Sequence, residues 1–166
     1  YGDNGRYTVA VCVKDDDNAE SCGRLAVTVD NMAPQVATLP DLRVDEGSFI
    51  ALPPARFNDP GFDNPAGGTR EDFTATIDWG DGTTEPVTGI VLTKSTGSEG
   101  VQTTGTVQAR HAYGDNGTYT ATLKITDDDG GLGVASFRIT VDNVAPMIAA
   151  MPNLTTDEGS FIELPP

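Results

Sequence analysis

The chain has 166 residues, 37% of them hydrophobic and 7% aromatic, with a formal net charge of −15 at neutral pH. That charge leaves no basic patch to neutralise phosphates, which excludes nucleic acid as a partner, and no apolar run approaches the roughly 18 residues of a membrane span. With 19 Gly and 11 Pro the chain is rich in turns, and Thr and Val fill the stretches between them, which favours strands over helices. In chain order, residues 1–34 read as two strands around an acidic turn centred on Asp17. "EGSFIAL" and "ARF" alternate apolar and polar residues and read as early strands. A Gly/Asn/Asp/Pro loop follows, then "DFTATIDW", a period-two strand ending at the only tryptophan, Trp79. "GDGTT" is a tight turn. "EPVTGIVLT" and "GVQTTGTVQARHAY" are the middle strands, and "TYTATLKIT" and "LGVASFRITV" form a hairpin around "DDDGG".

The chain repeats itself with a period of 112 residues: "YGDNGRYT" at Tyr1 returns as "YGDNGTYT" at Tyr113, "VDNMAP" as "VDNVAP", and "DEGSFIALPP" as "DEGSFIELPP". The match runs to the end without a gap, and about half of the aligned positions are identical. A period this long suits a string of whole domains. Residues 35–143 then form one complete unit. Residues 1–34 are the closing hairpin and linker of a preceding unit, and residues 144–166 the linker and first strands of a following one. A lone hairpin or leading strand cannot bury its apolar face, so both ends are expected to belong to a longer polypeptide or to be completed by a neighbouring chain.

"DNGTYTA" has the spacing of the tyrosine corner of immunoglobulin-like sandwiches, in which the Tyr hydroxyl reaches back to a backbone group just upstream. This assigns structural roles to Asp115, Gly117 and Tyr119, and to Tyr7 in the earlier copy, with Trp79 as the central core aromatic. The fold class is all-β, an Ig-like sandwich. "TIDWGDGTTEP", "HAYGDNGTYTATLKITDDDGG" and the linker "NVAP" resemble the PKD (polycystic kidney disease) repeat, an Ig-like domain whose W-x-F-G-D-G signature appears here as Trp79-Gly80-Asp81-Gly82, without its central aromatic. By that resemblance, such units act as spacers of secreted enzymes or stalks of large bacterial and archaeal surface proteins.

Cys12 and Cys22 stand opposite each other in a hairpin centred on Asp17, and both point outward by parity with Lys124 and Val134 of the second copy. Such a pair suits a cross-strand disulfide and an oxidising compartment; two free surface thiols are the alternative.

The acidic residues gather in three places: Asp30 and Asn31 in the linker, Asn58, Asp59 and Asp63 before the Trp79 strand, and Asp127, Asp128 and Asp129 in the last hairpin turn. In an Ig-like sandwich all three lie at the end where the chain enters from the preceding domain. Carboxylates gathered there repel one another unless a cation sits between them, and Ca2+ takes six to eight oxygens from a flexible site. The PKD resemblance implies Asn31, Asp59, Asp63 and Asp127 or Asp129 as its ligands; the alternative is that these residues make turns and solvate loop tips. Asp81 and Asp115 lie at the other end and read as turn and corner residues.

No nucleophile and base are paired, and the single histidine, His111, reads as capping a strand end, so an enzyme is not expected. The leading reading is a structural segment of an extracellular or cell-surface array, a stalk, filament or sheath. Neighbouring repeats of the same protein would be its partners, self-assembly into filaments would be one form it takes, and Ca2+ would stiffen its junctions. An accessory polysaccharide- or protein-binding module of a secreted enzyme or adhesin is the second reading. It predicts outward aromatics aligned on one sheet face.

Overall fold

The computed structural model describes the backbone of residues 1–86, 90–151 and 153–163, with the side chains of 84–86 also outside the description. The expected strand over "EPVTGIVLT" therefore lies partly outside the described residues. Strands β1 (Gly5–Lys14) and β2 (Glu20–Val29) form an N-terminal hairpin. The sandwich follows. One sheet has the order β3-β6-β10-β9, built from β3 (Gln35–Val36), β6 (Ala55–Asp59), β10 (Thr103–Gln108) and β9 (Val91–Lys94). The other has the order β4-β13-β12-β7-β8, built from β4 (Leu42–Asp45), β13 (Leu132–Asp142), β12 (Gly117–Asp127), β7 (Phe73–Asp78) and β8 (Thr84–Pro86). A short pair of β11 (Arg110–Ala112) on β5 (Phe49–Ala51) continues the first sheet past a break.

Proline makes that break. Pro53 and Pro54 have no N–H to give to a ladder, so the second long strand divides into β5 and β6, and its partner divides into β10 and β11. The Leu52 N–H donates to the Ala109 carbonyl at 2.8 Å and carries the pairing across the gap. With each broken strand counted once, the orders are A-B-E-D and A′-G-F-C-C′, the strand order of an Ig-like sandwich. The parallel pairing of β4 on β13, with Ile139 opposite Leu42, is the A′–G contact. Asp41 fastens it by accepting the Arg138 N–H at 2.9 Å.

Alternation decides what faces inward. Along β12 Ala121, Leu123 and Ile125 are buried, along β13 Ala135, Phe137, Ile139 and Val141, and along β7 Ala75 and Ile77, leading into Trp79. Ala55, Phe57 and Val107 meet them from the other sheet. Each fully buried Leu or Ile contributes about 1.5–3 kcal/mol relative to exposure. Trp79 has no exposed surface. Both tyrosine corners form: the Tyr119 hydroxyl donates to the Asp115 carbonyl at 3.0 Å, and the Tyr7 hydroxyl to the Asp3 carbonyl at 2.9 Å.

The N-terminal hairpin keeps the register of its counterpart one period later. Cys12 lies directly opposite Cys22, where the second copy has Lys124 opposite Val134. The two cysteines form a disulfide, with Cα atoms 4.1 Å apart. Among the described residues no second sheet covers the hairpin, so Val11, Val13 and Leu25 are exposed while their equivalents Leu123, Ile125 and Phe137 are buried. Residues 143–163 form no strand among the described residues. Ile162 is exposed there, although its equivalent Ile50 lies in the core. No helix of the described residues is long and apolar enough to cross a membrane.

Candidate junction site

Four pieces of chain meet at the end of the sandwich where the linker enters. β6 delivers Asp59 at its last residue. The loop from Pro60 to Asp72 returns Glu71 just ahead of β7. The β12–β13 turn presents Asp127, Asp128 and Asp129. The linker brings Asn31 across the top. Asp59, Glu71 and Asp127 are all buried, with 2%, 4% and 5% of their surface exposed. Burying one carboxylate without a counter-charge is costly; three in one place form an electrostatically unsettled cluster.

Asp127 and Asp59 are held by local hydrogen bonds. Asp127 folds its own turn, its Oδ1 accepting the N–H of Asp129 at 3.1 Å and of Gly131 at 2.6 Å. Its carboxylate also accepts the Asn31 side-chain amide, at 3.0 Å to Oδ2 and 3.2 Å to Oδ1, which ties the linker to the sandwich. A Cβ at Gly131 would run into the Asp127 carboxylate and the Asn31 amide. Asp59 accepts the Gly61 N–H through Oδ1 at 2.7 Å, while its Oδ2 is buried with no hydrogen-bond partner among the described residues. A Cβ at Gly61 would collide with the Glu71 carboxylate beside Asp59, so Gly is needed there to let the two acids approach.

The electrostatics follow. Burial first, then the charges of Asp59, Asp128, Asp127 and Asp3, push the Glu71 carboxyl up to about 8. Burial likewise raises Asp59, opposed by the Gly61 hydrogen bond and reinforced by Asp127 and Asp128. Asp129 is raised by burial and then by a side-chain hydrogen bond with Asp3. Between the hairpin and the sandwich lies a cavity of about 180 Å³, lined by Asp3, Asn4, Asp30, Asn31, Gly61 and Glu71 among others.

The residues singled out from the sequence divide into two groups. Asn31, Asp59 and Asp127 come together in the seam, with Asp30 on the cavity wall and Asp129 exposed on the β12–β13 turn. Asp63 does not join them. Its Oδ1 accepts the Lys94 ammonium at 3.0 Å and the Glu71 N–H at 2.9 Å. The Glu71 N–H, then Lys94, hold its carboxyl below the usual range. It fastens the loop to β9 and already has a cation of the chain's own. Asn58 also lies apart, donating to Gln102 at 2.9 Å across the sheet surface. The sequence reading did not include Glu71, Asp3 or Asn4.

At the opposite end His111 braces the core: it stacks on Trp79 with centroids 5.0 Å apart and its Nε2 lies 2.7 Å from Asp81. Burial opposes ionisation of Asp81, but hydrogen bonds from Thr83 and His111 outweigh it and hold the carboxyl below its usual range. The Thr83 hydroxyl, 3.5 Å away, faces the same Nε2. The imidazole therefore cannot relay a proton between a carboxylate and a hydroxyl as a hydrolase triad does.

The seam fits a hard divalent cation in its donor set, which is all oxygen, and in the orphaned buried Oδ2 of Asp59. It is not drawn into a tight cage. Among the described residues, one set of three ligand-type groups lies wholly within 4.8 Å, namely Cys12, Glu20 and Cys22, of which the two cysteines are in the disulfide.

The chain matches no protein-family model and no curated protein. Among solved structures it is similar to the PKD domain of an M14-like peptidase from Thermoplasmatales archaeon SCGC AB-540-F20, at 20% identity and a TM-score of 0.38, over 66% of this chain and 92% of that one. It is similar to cadherin-like domains 1 to 4 of zebrafish RET, at 13% identity and a TM-score of 0.42, over 84% of this chain and 34% of that one. A third likeness is to the BIgI domain of the beta protein from S. agalactiae, at 17% identity and a TM-score of 0.35, over 68% of this chain and 99% of that one. On its own strand order, the sandwich of this chain is Ig-like.

Proposed function

We infer that this chain is a segment of an extracellular or cell-surface array of Ig-like units, working as a stalk, filament or sheath, and that Ca2+ at the junctions stiffens it. The observation that carries this reading is the seam: three buried carboxylates, one with an oxygen lacking any partner among the described residues, lie where the linker meets the sandwich. Carboxylates in that arrangement repel unless a cation lies among them, and Asp59, Glu71, Asp127 and the side-chain oxygen of Asn31 would hold it. Calcium supplies charge neutralisation and a rigid set of bonds; the residues supply the frame. The Cys12–Cys22 disulfide fits an oxidising compartment, and a charge of −15 keeps strung units soluble and apart. The aromatics favour this reading over an aromatic binding strip: Trp79 and Tyr113 are buried, and the exposed Phe49 stands alone on the described sandwich.

Small-angle scattering of a chain extended to two or three whole units, in calcium and in chelator, tests the idea. The maximum dimension and the stiffness should rise with calcium. An unchanged scattering profile refutes the stiffening role.

A further inference from the structure

Both copies of the corner have a glycine after the first tyrosine, Gly2 and Gly114. Nothing in the corner itself asks for one. Neither has a positive φ, and a Cβ at Gly114 would meet only open space. Gly2 differs because it lies against the sandwich that follows. It is buried where Gly114 is exposed, and its carbonyl accepts the Phe62 N–H at 2.9 Å. A Cβ at Gly2 would stand 2.9 Å from the Phe62 carbonyl oxygen and 3.0 Å from the Asn64 Cβ. Glycine is what lets the two backbones approach this closely.

The loop that receives Gly2 is held from within its own unit. The Thr103 hydroxyl donates to the Gly61 carbonyl at 2.6 Å. The Asp63 N–H donates to the Thr96 carbonyl and the Asn64 N–H to the Thr69 carbonyl, both at 3.0 Å. None of these bonds involves the hairpin. They fix the residues on either side of Phe62, whose own N–H finds its acceptor in the preceding unit. A backbone N–H taken out of water needs such an acceptor. The linker is tied separately, through the Asn31 amide to Asp127.

We propose that the loop from Pro60 to Asp72 is a docking site for the corner of the preceding unit, and that Gly114 is the matching point this chain offers to the unit that follows. The partner is another Ig-like unit of the same repeat. It is recognised backbone to backbone, so the contact takes no side chain from the corner and requires that there be none. No carboxylate takes part, so the contact goes beyond the junction-cation reading and does not rest on it. It sets where one unit meets the next, and a single hydrogen bond leaves stiffness for a cation to add.

The test uses the intact 166-residue chain in chelator, with amide exchange at Phe62 and residual dipolar couplings read by NMR. In wild type the Phe62 amide should be protected, and the couplings of β1 and β2 should fit the same alignment as those of β12 and β13. G2A should speed Phe62 exchange about tenfold, the loss of one hydrogen bond, and should separate the two alignments. G114A makes the same change at the same corner one period later, and should leave both readouts and the thermal midpoint as in wild type. A Phe62 amide that exchanges freely in wild type overturns the proposal. So does a G114A as disruptive as G2A, since the glycine would then serve its own corner. With no metal present, neither result bears on the junction-cation reading, which scattering in calcium tests.

Discussion

Replacing Glu71 by Gln keeps the shape of a buried side chain and removes its charge, so it isolates the electrostatic cost of the seam. Without a cation, burial and then Asp59, Asp128, Asp127 and Asp3 push the Glu71 carboxyl from 4.5 up to about 8. The folded chain therefore binds this proton more tightly than the unfolded chain does. Stability is unaffected by the group below pH 4.5 and falls as pH rises from 4.5 to about 8. At about 1.4 kcal/mol per pKa unit the full difference is worth roughly 5 kcal/mol; solvent reaching the group through the cavity reduces this to about 2–3 kcal/mol.

Urea unfolding followed by Trp79 fluorescence, in chelator, gives the pH profile directly. Wild type should lose about 2 kcal/mol between acid and mildly alkaline pH through this group, and E71Q should not. Above pH 8 the variant should be the more stable of the two by that amount, and near pH 4 the two should coincide. Calcium should reverse the order. At about 10–100 times its dissociation constant it adds roughly 1.4–2.7 kcal/mol to a chain that binds it, and E71Q, lacking the carboxylate, gains less. If the two chains show parallel pH profiles in chelator, Glu71 does not bear the charge cost described here.

Three further perturbations separate the corner, the hairpin and the seam. Y119F deletes the 3.0 Å bond to the Asp115 carbonyl and should cost about 1 kcal/mol, a midpoint drop of roughly 4–8 °C; overlaid melting curves would show that the corner bond adds nothing. Replacing Cys12 and Cys22 together by Ser removes at most about 3 kcal/mol. The loss should be confined to the hairpin, so amide exchange should rise in β1 and β2 and stay unchanged in β12 and β13. G131A places a methyl against the Asp127 carboxylate and the Asn31 amide and should weaken calcium binding about tenfold. Wild-type affinity in G131A would argue that this approach is not part of the site.

The sheet architecture was legible because side-chain alternation and the corner spacing are local signals. β7, β12 and β13 each show a strict period of two, and the outward parity of Cys12 and Cys22 follows from counting residues across one turn. The long-range pairings were not legible. Nothing in "DLRVDEG" marks β4 as lying parallel to β13, since that contact depends on where a strand nearly a hundred residues later passes. The division of the first sheet at Pro53 and Pro54 could have been read from their missing N–H groups, but not the matching break at Ala109, which follows from its partner.

The seam was half legible for a related reason. Asn31, Asp59 and Asp127 sit in the segments that a sandwich brings to its entry end, so topology alone gathers them. Glu71 looked like one more loop acid, and only its burial beside Asp59, made possible by Gly61, sets it apart. Asp63 looked equivalent, and Lys94, supplied by β9 more than thirty residues later, takes it out of the set. The sequence reading put Asp115 at the far end of its own unit. One period earlier, however, the same corner meets the sandwich: the Gly2 carbonyl accepts the Phe62 N–H at 2.9 Å, and Asp3 lines the cavity that Glu71 also lines. The 112-residue period held this information: a corner loop that repeats in phase with the linker must meet the neighbour's entry loops wherever the linker is short enough to bring the two units into contact.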